Sequence, residues 1–208
     1  VYAGDMDNDG DMDILSASES DHKIAWYEND GASNPSWTAA VITTNALSAS
    51  SVFAADMDND GDLDVLSASY DDNKIAWYEN TMEKGQISGW THEIISTYAS
   101  GPYSVFAADM DKDGDMDILS ASINDDKIAW YEHDGSASPS WTAAEVARIA
   151  DFARSVFAAD MDNDGDMDIL SASASDHKIA WYENDGATDP SWTAAVITTN
   201  TLSASSVF

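Results

Sequence analysis

A nine-residue acidic segment, Asp5-Met-Asp-Asn-Asp-Gly-Asp-Met-Asp13, returns at Asp56 to Asp64, Asp109 to Asp117 and Asp160 to Asp168. The steps are 51, 53 and 51 residues, so the chain is one unit written four times and must fold by stacking copies of that unit. Each copy is followed by Leu-Ser-Ala-Ser, then by Lys-Ile-Ala-Trp-Tyr-Glu beginning at Lys23, Lys74, Lys127 and Lys178. Trp-Thr closes the pattern at Trp37, Trp90, Trp141 and Trp192. The repeats span approximately 1–50, 51–103, 104–154 and 155–206 of a single repeat domain, with 207–208 starting a further copy.

Within a copy the apolar segments are short, rich in Val, Ile, Trp, Tyr and Thr, and separated by Asp, Asn, Gly, Ser and Pro, which is strand-and-turn punctuation. Four strands are expected per repeat, at Ser51 to Ala55, Leu63 to Ser69, Lys74 to Asn80 and Trp90 to Ser96 in the second. The two extra residues of that repeat fall between Asn80 and Trp90, in a stretch that reads as a loop. In Lys23 to Tyr27, Ile24 and Trp26 share one face of a strand while Ala25 and Tyr27 share the other, so both faces need cover. Radially stacked sheets provide it. The expected fold is therefore all-β, a β-propeller of four-stranded antiparallel blades with four blades per chain. A β-solenoid also repeats strands, but calcium-binding solenoids have far shorter periods than this one.

The acidic segment has the chemistry of a calcium loop. Calcium takes six to eight oxygens at roughly 2.3–2.6 Å, and alternating Asp on a tight loop aims several carboxylates inward. In the first copy Asp5, Asp7 and Asp9 are expected to give side-chain oxygens, Asp11 its backbone carbonyl, and Asp13 to close the shell. The corresponding sets are Asp56, Asp58, Asp60, Asp62 and Asp64; Asp109, Asp111, Asp113, Asp115 and Asp117; and Asp160, Asp162, Asp164, Asp166 and Asp168. Asp and Gly are ordinary turn residues, and one such loop alone would pass as a polar turn. Four in register, each with five like charges in nine residues, would repel strongly without a counterion. One Ca2+ per repeat, four per chain, is expected, in a structural role. Magnesium is disfavoured by its demand for near-octahedral geometry and retained water. No recurring His accompanies the loops: His22 and His177 correspond, but Asn73 and Asp126 stand at that place elsewhere, so these His, with His92 and His133, read as surface turn residues.

The loops hold about half of the 39 acidic residues and account for much of the net charge of -31. Eight Lys and Arg spread along the chain offer no basic stripe, which excludes nucleic acid as a partner. The absence of Cys excludes disulfides and thiolate metal sites. No apolar run is long enough to span a bilayer, and Val1 to Asp13 has no signal-peptide pattern, so membrane insertion is not expected.

The loop Asp56 to Asp64 with the preceding Val52-Phe53-Ala54-Ala55 resembles the FG-GAP or VCBS repeats of integrin-type β-propellers and of many bacterial extracellular proteins, and the resemblance runs through essentially the whole chain. It implies a calcium loop between the first and second strands of each blade, a secreted or cell-surface setting, and roles in adhesion or glycan binding. Propellers of that kind commonly have about seven blades. Three assemblies follow for four repeats: a fragment of a longer array, a self-closed ring, or two chains pairing as a homo-oligomer into an eight-bladed ring. The Ser205-Ser206-Val207-Phe208 ending favours the longer array, and the two-chain ring is expected if the chain folds alone.

Two Trp per repeat keep a lectin open, although their recurrence in every copy is more simply blade packing with the indole N–H satisfied locally. Positions that differ between copies are better candidates for a protein or glycan ligand: the turn between the second and third strands (Glu19, Tyr70, Ile123, Ala174) and the connection before the next blade (Tyr103, Phe152, Arg154). The resemblance puts both on the face opposite the calcium loops, and drift in exposed loops is the competing explanation. No arrangement of nucleophile, His and acid recurs, so an enzyme is not expected. The functions left open are a calcium-stabilised scaffold, adhesion or ligand-binding module, a carbohydrate-binding propeller, and a polysaccharide hydrolase domain.

Overall fold

A computed structural model describes residues 1–82, 87–136 and 139–208. These form four antiparallel sheets, each a simple meander of four strands. The first contains β1 (Tyr2–Gly4), β2 (Asp13–Ser18), β3 (Lys23–Asn29) and β4 (Trp37–Thr43); the second β5 (Ala49–Ala55), β6 (Asp64–Ser69), β7 (Lys74–Met82) and β8 (Ile87–Ser96). The third contains β9 (Pro102–Ala108), β10 (Asp117–Ser122), β11 (Lys127–His133) and β12 (Trp141–Ala147); the fourth β13 (Ala153–Ala159), β14 (Asp168–Ser173), β15 (Lys178–Asn184) and β16 (Trp192–Thr198). The sheets are the blades of a β-propeller, and they fall into two compact units, Val1–Tyr98 and Ala99–Phe208, of two blades each.

The strand bounds of the second repeat differ from those read in the sequence. β5 begins at Ala49 and β6 at Asp64. The stretch after Asn80 is not a plain loop: Thr81 pairs with Gly89 and Met82 with Ile87, so the β7–β8 hairpin continues past Asn80, and residues 83–86 lie outside the described residues. A Gly and Ser flank reads as loop composition, but the ladder needs only backbone groups, and the extra length extends it across a bulge.

Each blade is apolar on both faces. In the first, Leu15 lies opposite Trp26 and Ala17 opposite Ile24, while Ile14 and Tyr27 occupy the other face. Within unit 1, Leu15, Ile24 and Trp26 of the first blade pack against Val65, Ala76 and Tyr78 of the second, over the fully buried Met6. Unit 2 repeats this, with Leu119, Ile128 and Trp130 against Ile169, Ala180 and Tyr182. Trp130 also meets Trp192 edge-on at 6.2 Å, so within unit 2 a Trp of one blade packs on a Trp of the next. The Leu-Ser-Ala-Ser motif serves the same layer: Ser67, Ser120 and Ser171 are buried and lie 3.5, 3.5 and 3.2 Å from the hydroxyls of Tyr78, Tyr131 and Tyr182.

Away from the Asp loops the blades are joined by latched connections. In unit 1 the Ala46 amide donates to the His22 carbonyl (3.2 Å), the Ser48 amide to His22 Nδ1 (2.9 Å), and the Tyr70 amide to the Ser48 carbonyl (3.1 Å). Unit 2 has the same chain of bonds through Asp126, Phe152 and Ala174. The turns between the second and third strands are thus folded onto the connections, and Ile123 and Ala174 are buried, not loop positions free to drift. His22 and His177 occupy turns with left-handed backbone, but His92 lies within β8, paired with Tyr78, and His133 is a buried strand end, so neither of these two is a surface turn residue.

Candidate metal centre

Each Asp loop connects the first two strands of a blade and is shaped largely by its own carboxylates. Asp5 accepts the Asp9 amide (3.0 Å) and the Gly10 amide (2.9 Å), and Asp9 accepts the Asp11 amide (2.9 Å). The second loop repeats all three bonds, and in every loop the first Asp accepts the amide of the Gly. That Gly has φ of 95, 94, 97 and 93° in turn, a region closed to other side chains. The fourth position is also left-handed, which suits Asn8, Asn59 and Asn163 and is forced on Lys112.

The folded loops bring three carboxylates together in each blade, with candidate ligand atoms all within 4.8 Å of one another. The groups are Asp5, Asp7 and Asp13; Asp56, Asp58 and Asp60; Asp109, Asp111 and Asp117; and Asp160, Asp162 and Asp164. The first and second of the expected ligands are in every group, the third in the second and fourth loops, and the last in the first and third. Two oxygens on one calcium can be at most about 5 Å apart, so these separations fit a single ion. Asp7 is 8% exposed, and Oδ1 of both Asp7 and Asp109 is buried without a hydrogen-bond partner among the described residues. Burial, with repulsion from Asp9 and Asp13, pushes Asp7 up to about 6. Asp58, Asp111 and Asp162 are raised for the same two reasons, desolvation first.

The last Asp of the loop has a second task that its spacing did not reveal. Asp13 accepts the Met6 amide (3.1 Å) on one oxygen and the Asn29 amide (2.8 Å) on the other, tying the loop to the end of β3. Asp64, Asp117 and Asp168 make the same pair of bonds, and all four residues are almost fully buried. Desolvation raises Asp64 and Asp117 to about 7 despite these bonds. The Trp77 and Trp130 indoles lie close enough to these carboxylates to favour their charged form. Their N–H groups nonetheless lack a hydrogen bond of good geometry among the described residues, contrary to the local satisfaction expected.

The seventh position, Asp11, Asp62, Asp115 or Asp166, stays out of the carboxylate groups. It links blades within a unit: Asn8 donates to Asp62 (2.9 Å), and Lys112 forms an ion pair with Asp166. Asn80 adds a bond to the Met6 carbonyl (3.0 Å) and Asn184 one to the Met110 carbonyl (2.8 Å), so the end of the third strand grips the preceding loop. The recurrence of Asn after Trp-Tyr-Glu was the available signal for this contact.

The seventh-position carboxylate also explains a second Gly. A Cβ on Gly186 would stand 2.4 Å from Asp166 Oδ2, and Gly186 has φ of 69°. Gly186→Ala is expected to destabilise unit 2 by about 1–3 kcal/mol, read as a shift of the denaturant midpoint; an unchanged midpoint would refute this close approach.

Four-stranded antiparallel blades, each opened by a loop of converging carboxylates, define a β-propeller repeat protein. The chain belongs to the FG-GAP-like repeat family, whose pattern matches residues 5–67, 56–120 and 109–171. No curated protein matches it. Among solved structures it is similar to an Agrocybe aegerita lectin described as specifically recognising non-reducing terminal N-acetylglucosamine. That likeness has 16% identity and a TM-score of 0.42, covering 97% of this chain and 66% of the lectin's, slightly under two thirds.

Proposed function

We propose that each of the four Asp loops holds one Ca2+ as a structural clamp, and that the chain is a binding module, a scaffold or adhesion domain of a secreted or cell-surface protein, acting without catalysis. The observation that carries the calcium reading is the pair of buried, unpartnered carboxylate oxygens, Asp7 Oδ1 and Asp109 Oδ1, each within a group of three converging Asp. A buried carboxylate oxygen without a donor is costly, and a hard dication supported by other oxygens removes that cost. In the first loop Asp5, Asp7 and Asp9 would supply side-chain oxygens and Asp11 its carbonyl, while Asp13 joins the shell and ties the loop to β3. Bound calcium supplies positive charge and a cross-link between the start of a blade and its third strand. An extracellular setting suits such loops because calcium there is abundant enough to fill weak sites.

Calorimetric titration of chelator-treated protein with calcium tests this reading. Four ions per chain are expected, with Asp7→Asn and Asp111→Asn each weakening one site by about tenfold or more and magnesium competing poorly. No calcium heat, or equal affinity for magnesium, would refute it.

A further inference from the structure

Three of the positions that vary between repeats converge in unit 2. The Arg154 guanidinium lies 5.8 Å from the ring centre of Tyr103 and 5.0 Å from that of Phe152. Tyr103 and Arg154 hold the same place in consecutive repeats, just before Ser-Val-Phe, where Ser50 and Ser205 stand in the other copies. β9 and β13 bring them side by side, joined by the bond from the Val156 amide to Ser104 Oγ (3.3 Å). Both residues stand second in their strands, and each strand runs from there to an Asp loop at its far end.

Two features of this cluster go beyond what the contact of Arg154 with the two rings requires. In a chain of net charge -31, every other Lys or Arg among the described residues is ion-paired, yet Arg154 pairs with no carboxylate and its buried Nε has no hydrogen-bond partner. Phe152 has φ of 62°, a conformation that costs a bulky aromatic residue energy. The matching places are Ser48, Gly101 and Ser203, so this backbone does not need a Phe. Strain and a cation held by two rings but neutralised by no carboxylate, at one junction between blades, mark a place kept for an anionic ligand.

We propose that Arg154, Tyr103 and Phe152 form a subsite for the carboxylate of an acidic sugar, a uronic acid being the simplest example. A planar guanidinium matches a carboxylate in a two-bond fork, and flanking rings hold that fork in place while limiting its competition with water. Tyr103 is 39% exposed and offers a ring face to the C–H surface of a pyranose whose carboxylate sits on the guanidinium. A uronic acid presents a rigid apolar face beside its carboxylate. The flexible side chain of an acidic peptide does not.

The full chain, in calcium-containing buffer, is titrated with digalacturonate, with the neutral digalactoside, and with a blocked glutamate peptide. Digalacturonate is expected to bind with a dissociation constant of about 1 mM or tighter, and the other two at least about tenfold more weakly. Arg154→Gln should lose about tenfold or more, Arg154→Lys should recover little because it lacks the planar fork, and Tyr103→Ala should lose severalfold. Melting temperatures of these variants report folding separately, and the Lys variant keeps the charge and the aliphatic stem should Gln disturb the strand. No digalacturonate binding at about 10 mM, equal binding of the neutral sugar or of the peptide, or unchanged binding by folded Arg154→Gln would each overturn the proposal.

Discussion

Replacing Asp117 with alanine is expected to lower the stability of unit 2 by about 3 kcal/mol or more, with a fall in melting temperature on the order of 10 °C. The two carboxylate oxygens of Asp117 take the Met110 amide at 3.0 Å and the His133 amide at 2.9 Å, inside a region where the side chain is only 1% exposed. Alanine leaves both donors buried and unpaired, at about 1–3 kcal/mol each. Asparagine, although isosteric, offers one acceptor oxygen and turns an NH2 group toward the other amide, so Asp117→Asn is expected to be nearly as damaging. Asp111→Asn is the control. Asp111 accepts the Asp113 amide through one oxygen (3.2 Å), which an Asn oxygen can replace, and the substitution removes a negative charge from a crowded loop. In chelator, Asp111→Asn should therefore be neutral or stabilising, whereas both Asp117 variants remain destabilised. An Asp117→Asn protein as stable as wild type in chelator would show that Asp117 has no scaffolding role.

The contrast between these two Asp shows where sequence reasoning stopped. The short apolar segments on either side of each Asp loop, together with the family resemblance, put the loops between the first two strands of each blade, where the structure has them. Spacing did not separate a carboxylate that shapes the loop from one that ties it down, since the partner of Asp13 is the amide of Asn29, sixteen residues away on another strand. The alternation of Ile24, Ala25 and Trp26 was enough to demand cover on both faces, and all three are buried. The β7–β8 hairpin was misread for the opposite reason: its ladder depends on backbone pairing at Thr81 and Met82, which side-chain composition does not report. Variation between copies did point to Tyr103, Phe152 and Arg154. Their convergence was invisible until β9 and β13 were neighbours, because contact between residues some fifty positions apart depends on how one blade steps to the next.

Removing calcium is expected to produce the largest change of all. A site filled at about a hundredfold above its dissociation constant stabilises the folded state by about 2.7 kcal/mol, so two loops filled to that level would contribute about 5 kcal/mol to each two-blade unit. Excess chelator should then lower the melting temperature by about 15 °C or more, and calcium should restore it where magnesium does not. The pH dependence of the chelated protein adds a sign that a nonspecific effect of chelator would not reproduce. Burial holds Asp64 and Asp117 at about 7, above the ordinary value of 3.8, so the folded state binds protons more tightly than the unfolded chain. Their contribution to stability is fully present below about 4 and is lost as pH rises to about 7, which makes the chelated protein more stable in mild acid than at neutral pH. Calcium requires the ionised carboxylates and should reverse that slope, stabilising most at neutral pH and above. Melting curves with and without chelator at the two ends of this range separate the cases. Coincident curves at neutral pH would mean that the loops stand without a cation, and that their charges are borne by the backbone amides alone.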